Sequence, residues 1–170
     1  MRIFLVCLTA WFVAQIIKVI INTVKYFYNK HKGRARKKVT LETFFKLGGM
    51  PSSHTATVIS LAVCVGLRNG FGSDVFAVSG VFAFITMFDA LKVRLPISRL
   101  TDAFNRLQGK VCGNEIQEVK KVEGHTIPEI IGGFIVGAGI ALFMTEVVGI
   151  FEADIRIFEF IENVHHYFGY

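Results

Sequence analysis

The chain has 170 residues, of which 52% are hydrophobic and 19% are charged. Soluble domains are about 45–50% apolar with glycine included and about 25% charged, so this composition excludes an ordinary soluble globule, a disordered chain and a collagen-like repeat. The formal net charge is +6, and the three cysteines are too few to form a disulfide framework in a chain of this length.

Four apolar segments follow one another along the chain, and they predict an all-α, integral membrane helical bundle of about four transmembrane helices. They are residues 3–21, 48–67, 75–88 and 130–145. A bilayer core about 30 Å thick needs about 20 helical residues, so the first, second and fourth segments are long enough to cross it. The third segment is too short to cross the bilayer by itself, so flanking residues would have to extend its helix. In an alternative arrangement, the second and third segments form a re-entrant pair joined by residues 68–74.

Basic residues are concentrated on one side of this predicted bundle. Segments 28–49 and 92–125 each contain seven Lys or Arg residues, whereas the opposite side contains Arg2, Arg68 and Arg156. Basic loops stay in the cytoplasm, so we expect both long segments to be cytoplasmic and both termini to lie outside. This distribution is typical of a membrane protein and argues against nucleic acid as the partner.

The two ends of the chain complete the predicted organisation. The first apolar run lacks a small-x-small cleavage site, so we expect an uncleaved first span rather than a signal peptide. Residues 151–170 place apolar and aromatic residues near helical spacing, which predicts an interfacial amphipathic helix. We therefore divide the chain into a transmembrane domain, residues 1–150, and an interfacial tail, residues 151–170.

Polar residues that are unusual inside a membrane fall at the cytoplasmic ends of the predicted spans. Such residues usually line a site, so we expect one shared site at this face. Span one carries Gln15 and Lys18 here; span two opens with Ser52, Ser53 and His54; span three closes with Asp89 and Arg94; span four opens with His125 and Glu129.

The chemistry of this cluster suits a phosphate group. Ser52 and Ser53 open a helix, where backbone N–H groups and the helix dipole favour an anion. Gly49, just before them, permits close approach of the backbone. Lys18 and Arg94 supply positive charge, and a guanidinium group can bind two phosphate oxygens at once. These five residues are the predicted substrate-binding set, together with Asp89.

Two histidines give the same cluster a means of catalysis. His54 and His125 can each attack a substrate or transfer protons near neutral pH. Glu129 follows His125 by four residues, so it lies on the same helix face and can hold the imidazole in one tautomer. With Asp89 these residues could also bind a metal ion, but the two nearby cations argue against a dication. We therefore expect no metal and no cofactor.

Simpler interpretations of some of these residues remain open. Residues 126–129 form a good capping box with Pro128 in the first turn, so Glu129 can serve to cap the fourth span. Ser52 and Ser53 can be plain N-caps. Lys18 can extend along the helix to the membrane interface.

Three blocks of sequence, GGMPSSH at 48–54, FDALKVR at 88–94 and GHTIPE at 124–129, resemble the divergent branch of the phosphatidic acid phosphatase type 2 and vanadium haloperoxidase superfamily. The resemblance covers about residues 12–141. It implies a helical fold and metal-free hydrolysis of phosphate monoesters or pyrophosphates, often on lipids. The implied roles are His125 as nucleophile, Glu129 as its orienting acid, His54 as general acid, and Lys18, Ser52 and Ser53 near the phosphate.

Two phosphate-binding arginines of that superfamily are absent from their usual places. Lys25-Tyr26 stands where the first motif has Arg-Pro, and Glu118-Val119 stands where the third motif has Ser-Arg. We expect Arg94, with Arg99 as a second candidate, to substitute for them.

The sequence thus predicts a membrane-embedded, acid-phosphatase-like hydrolase that acts at the cytoplasmic face on a lipid phosphate or a related phosphorylated amphiphile. The missing arginines favour an alternative, a non-catalytic anion- or phospholipid-binding membrane protein that retains the fold. A small transporter is less consistent with polar groups gathered at one face. Besides the substrate we expect membrane lipids as partners, and a homodimer formed through Gly133 and Gly137 would provide more surface for a long lipid.

Overall fold

The computed structural model describes residues 2–32, 49–111, 119, 124–146 and 149, and its regular elements are all helical over these residues. The fold class predicted from the apolar segments, an all-α membrane helical bundle, is confirmed. The predicted tail, residues 151–170, lies outside the described residues. The α-helices are α1 Arg2–His31, α2 Ser53–Asn69, α3 Asp74–Phe88, α4 Leu95–Val111 and α5 Ile127–Glu146.

Within the described part of the chain, three helices are long and apolar enough to cross a membrane: Arg2–His31, the 38-residue helix Asp74–Val111 and Ile127–Glu146. The long one consists of α3, a π-helical segment at Asp89–Arg94 (the π segment) and α4. The third predicted span is therefore not short, because the helix continues past residue 88. The prediction of a loop over residues 92–125 is wrong in part, since residues 95–111 of this segment form α4.

The second predicted span, residues 48–67, begins later than the sequence indicates. Ser52 adopts an extended backbone conformation and its Oγ accepts a hydrogen bond from the Thr55 N–H, so α2 begins at Ser53. The helix has 17 residues, which at 1.5 Å per residue gives a length of about 25 Å, less than the hydrocarbon core of about 30 Å. Among the four predicted spans, α2 is thus the short one.

Helix α2 is nevertheless the centre of the bundle, because it packs against α1, α3 and α5. Helix α5 approaches it through two glycines. A Cβ atom on Gly133 would lie 2.9 Å from Thr55 Cβ, and one on Gly137 would lie 2.9 Å from Ala56 Cα, with the Ala56 carbonyl oxygen closer still. The glycine face that we expected to pair two copies is therefore used inside the chain, and a homodimer would need another face.

The interior is built from small and medium side chains, while the largest apolar side chains face outward. Cys7 and Cys64 are buried free thiols, as their apolar neighbours in the sequence indicate. Phe4, Phe84 and Phe134, on α1, α3 and α5, are exposed. Exposed aromatic and aliphatic residues on several helices are what a lipid environment requires. Among the described residues, one core cluster consists of Val6, Cys64 and Ala141, and another of Val58, Ile59 and Ala83.

Candidate functional site

The polar residues singled out in the sequence meet at one end of the bundle. Helix α1 contributes Lys18, the start of α2 contributes His54, the π segment contributes Asp89 and Arg94, and the residue two places before α5 is His125. The imidazole of His54 interacts electrostatically with each of the other four. The structure therefore brings together side chains that are up to 107 positions apart in the sequence.

The centre of this site is the pair His125 and Glu129. Nδ1 of His125 lies 3.0 Å from Oε2 of Glu129, and the imidazole side chain is only 3% exposed. The same Glu129 oxygen accepts a hydrogen bond from the Thr126 N–H at 3.1 Å. The carboxylate therefore caps α5 and also holds the imidazole, so the capping interpretation and the orienting interpretation are both consistent with one geometry.

The loop that carries His125 is fixed against the π segment by its backbone. The His125 N–H donates a hydrogen bond to the carbonyl oxygen of Ala90 at 3.3 Å. A Cβ atom on Gly124 would lie 2.7 Å from the carbonyl carbon of Arg94 and closer still to the backbone of Leu95. Only glycine permits this approach. Sequence reasoning quoted Gly124 within a motif but did not identify this role, because it depends on a neighbour that is 29 residues away.

His54 stands opposite His125 across the site. The centroids of the two rings are 6.4 Å apart and the rings are inclined by 62°. At this separation one small group, such as a phosphate, can contact both imidazoles. Nδ1 of His125 is directed to Glu129, so Nε2 is the nitrogen left for such a group.

The two serines at the start of α2 are buried, and Ser52 makes several structural hydrogen bonds. Its N–H donates to the Glu129 carbonyl oxygen at 2.9 Å. Its Oγ accepts from the N–H of Thr55 at 3.3 Å and from the Thr55 hydroxyl at 3.0 Å. Ser52 is thus the N-cap of α2 and ties it to α5, whereas Ser53 is the first residue of the helix.

Lys18 is completely buried, which contradicts the interpretation that it extends to the membrane interface. Its side chain passes Gly49, where a Cβ atom would lie 3.7 Å from both Cγ and Cδ of Lys18. The φ angle of Gly49 is +101°, a conformation that favours glycine. One helical turn away, Oε1 of Gln15 is a buried oxygen with no hydrogen-bond partner in the part of the chain that the structure describes.

Arg94 forms an ion pair with Asp89, through its Nε and Oδ2 of the carboxylate. The two side chains are 39% and 35% exposed, so the pair lies at the open edge of the site. The terminal amino groups of the guanidinium take no part in this bond. Asp89 offsets part of the positive charge expected for phosphate binding. Arg99 is exposed on α4, more than one turn beyond Arg94.

No group of three or more His, Cys, Asp and Glu side chains is placed to hold a metal ion among the residues that the structure describes. The charged groups around His54 include both Lys18 and Arg94. This combination is suited to an anion, which a cationic pair attracts.

Comparison with known proteins gives two findings. The family model described as "Divergent PAP2 family" matches residues 1–140. The uncharacterized membrane protein YuiD of Bacillus subtilis (strain 168) is 34% identical over 151 residues, which cover 81% of this chain and 89% of YuiD. No solved structure matches the chain.

Proposed function

This chain belongs to the divergent PAP2 family of membrane proteins, and we propose that it is an acid-phosphatase-like hydrolase that removes phosphate from a lipid phosphate or a related phosphorylated amphiphile. The observation that carries the proposal is the 3.0 Å contact between His125 Nδ1 and Glu129, with the ring of His54 6.4 Å from that of His125. This is the arrangement of a nucleophile, an orienting acid and a proton donor.

The first half of the proposed reaction transfers the phosphoryl group to the protein. Nδ1–H of His125 donates to Glu129, and the lone pair on Nε2 attacks phosphorus. A P–N bond forms while the P–O bond to the lipid alcohol breaks. Protonated His54 donates its proton to the departing oxygen, which leaves as the alcohol. General-acid assistance of this kind typically contributes about 10²–10⁴-fold in rate.

The second half returns the protein to its starting state. His54, now neutral, accepts a proton from a water molecule as that water attacks phosphorus. The P–N bond breaks, its electron pair returns to Nε2 of His125, and inorganic phosphate leaves. Lys18 and Arg94 stabilise the negative charge on the phosphoryl oxygens in both steps. The Arg94–Asp89 pair makes this stabilisation weaker than that of an unpaired arginine.

We place this site at the cytoplasmic face. In the sequence, the basic segment 28–49 lies just before His54 and the basic segment 92–125 ends at His125, and basic segments stay in the cytoplasm. Single cysteines introduced at positions 36 and 114 should be protected from a membrane-impermeant reagent in intact cells, while one at position 170 should react. The opposite labelling pattern would place the site outside.

One observation favours the alternative, a phospholipid-binding protein without catalysis. Val119 occupies the position where the superfamily has its second arginine. Its N–H and carbonyl oxygen bond to the side chain of Asn105 on α4, at 3.0 and 2.9 Å. Asn105 lies 11 residues beyond Arg94, about 16 Å along the helix, so this position is remote from the histidines. A hydrogen bond to a charged group contributes about 1.5–3 kcal/mol, so the transition state of phosphoryl transfer loses about that much stabilisation, which lowers catalysis even where a phospholipid still binds.

Phosphate release by the purified, full-length protein in lipid nanodiscs separates the two functions. The substrates are phosphatidic acid, a lipid pyrophosphate and a soluble aryl phosphate, each with and without vanadate, which mimics five-coordinate phosphorus. We expect vanadate-sensitive release that His125→Ala abolishes. His31→Ala, the same substitution at an exposed position at the end of α1, is the matched control. Binding of these lipids without release from any of them would establish the alternative.

A further inference from the structure

Helix α4 carries an apolar side that no other part of the described chain covers. Counting from Val93 in the preceding π segment, apolar residues recur at alternating intervals of four and three, which aligns those of α4 on one face of the helix. Each of them is between 43% and 73% exposed. We call this set the apolar stripe: Val93, Ile97, Leu100, Phe104, Leu107 and Val111.

The opposite face of α4 contacts the rest of the described chain near Ser98 and Asn105. Ser98 on this face is buried, and Asn105 bonds to the backbone of Val119. At about 100° per residue, Ser98 and Asn105 point nearly opposite to the middle of the stripe, which Leu100 and Leu107 occupy. The stripe is therefore not part of a core, and something outside the described chain must cover it.

Basic residues line one flank of the stripe. Arg99 and Arg106 are spaced seven residues apart, so they form one row along α4; Lys110 extends that row, and Lys92 precedes it in the π segment. We call these four residues the basic row. Asp102 is the one acidic residue between positions 95 and 111. Helix α4 thus combines an exposed apolar face with a strongly basic flank.

This charge pattern distinguishes the possible occupants of the stripe. Two copies of α4 packed along their stripes would bring two basic rows together, with a single Asp102 in each to compensate, and like charges at a helix interface are unfavourable. An anionic membrane surface provides hydrocarbon for the stripe and negative headgroups for the row. A helix with these two faces lies in the plane of such an interface.

The position of α4 in the chain permits this orientation. It follows directly from α3 through the π segment, and Pro96 lies in its first turn. π-helical turns and prolines are two of the features at which helices bend. Its 17 residues extend about 25 Å, long enough to lie along the surface rather than only to anchor an end.

We propose that α4 lies in the plane of the cytoplasmic membrane surface, with the apolar stripe in the acyl boundary and the basic row on anionic lipid headgroups. Because α4 begins one residue after Arg94, this placement holds the candidate site at the depth of the headgroup phosphates. The lipid-facing role of α4 does not depend on catalysis, so it stands or falls separately from the proposed hydrolase.

Depth-dependent fluorescence quenching of the full-length protein tests this placement. Single cysteines at Leu100→Cys and Leu107→Cys, in a background with the three native cysteines replaced by alanine, carry an environment-sensitive dye. Gly109→Cys is the matched control, because it lies on the other face and a Cβ atom there has no neighbour within 4 Å. The proteins are reconstituted in phosphatidylcholine vesicles with and without phosphatidylglycerol.

We expect nitroxide lipids to quench the dyes at positions 100 and 107, and aqueous iodide to quench the dye at 109. Phosphatidylglycerol should increase the difference in quenching between positions 100 and 107 and position 109. Arg106→Gln should lower the ratio of inserted to exposed α4 about fivefold, because a basic residue near an anionic surface contributes about that factor. Equal iodide quenching at all three positions with phosphatidylglycerol present would overturn the proposal. Energy transfer between stripe dyes on different copies, without lipid quenching, would overturn it in favour of a dimer.

Discussion

Two glycines in α5, Gly137 and Gly139, give the packing of the bundle a direct test. A Cβ atom on Gly137 would lie 2.9 Å from Ala56 Cα and 3.0 Å from Ala56 C, and even closer to the carbonyl oxygen. These are backbone atoms of α2, so they cannot move aside as a flexible side chain would. A Cβ atom on Gly139 meets nothing within 4 Å. The two positions differ in surroundings, not in helix or in residue type.

Gly137→Ala should therefore destabilise the protein, while Gly139→Ala should not. Overpacking typically costs about 1–3 kcal/mol, and replacing an exposed helical glycine by alanine typically gains about 0.5–1 kcal/mol. The free energies of unfolding should then differ by at least about 1.5 kcal/mol. At about 2–4 °C per kcal/mol for a chain of this size, the midpoints of thermal unfolding should be at least about 3 °C apart.

Thermal unfolding of the two purified variants in the same detergent, followed by the intrinsic fluorescence or helical circular dichroism, measures this difference. Size-exclusion chromatography with light scattering gives the oligomeric state of each. If Gly137→Ala is as stable as Gly139→Ala and changes only the oligomeric state, α5 pairs two copies through this face, and its packing against α2 as described is wrong.

Further predictions concern the site itself. His54→Ala should slow release of an alkyl phosphate by about 10²–10⁴-fold and of an aryl phosphate much less, because a good leaving group needs little protonation; equal losses in steady-state kinetics would contradict the general-acid role. Glu129→Gln should lower kcat by up to about 10⁴-fold by releasing the tautomer of His125, and an unchanged kcat would exclude an orienting role. Gly124→Ala should reduce turnover by displacing His125 from the π segment, with Gly109→Ala as the control of full activity in the same assay.

The local parts of the site could be predicted from the sequence. Glu129 follows His125 by four residues, and α-helical geometry places such residues on one face, so their contact required no tertiary information. The cap formed by Ser52 is likewise a short-range pattern, because its bond spans three residues. Apolar runs predicted helices for a similarly local reason, because a helix in lipid satisfies its backbone hydrogen bonds within its own segment.

The second and third spans show where this reasoning stops. Hydropathy counts residues 48–67 as one span, but the extended backbone of Ser52 makes the helix begin at Ser53, after the start of the apolar run. Conversely, the charges of Asp89 and Arg94 suggest the end of a span, whereas the helix continues past this ion pair into α4. Hydropathy averages over side chains, and it does not register which of them pair with each other. The three- and four-residue intervals between the apolar residues of the stripe indicate a helix at α4. Treating this segment as a basic loop obscured that pattern.

By itself the sequence determined that this is a helical membrane protein and that its unusual polar residues gather at one end of the bundle. The tertiary structure alone decided what those residues do there: that Lys18 is buried beside Gly49, that Arg94 is paired with Asp89, and that the glycine face of α5 lies on α2. The physical reason is the distance along the sequence over which each interaction acts. Helical periodicity and membrane partition act on neighbouring residues, whereas these contacts join residues brought together only when the helices pack, and packing depends on the shape of every contributing side chain.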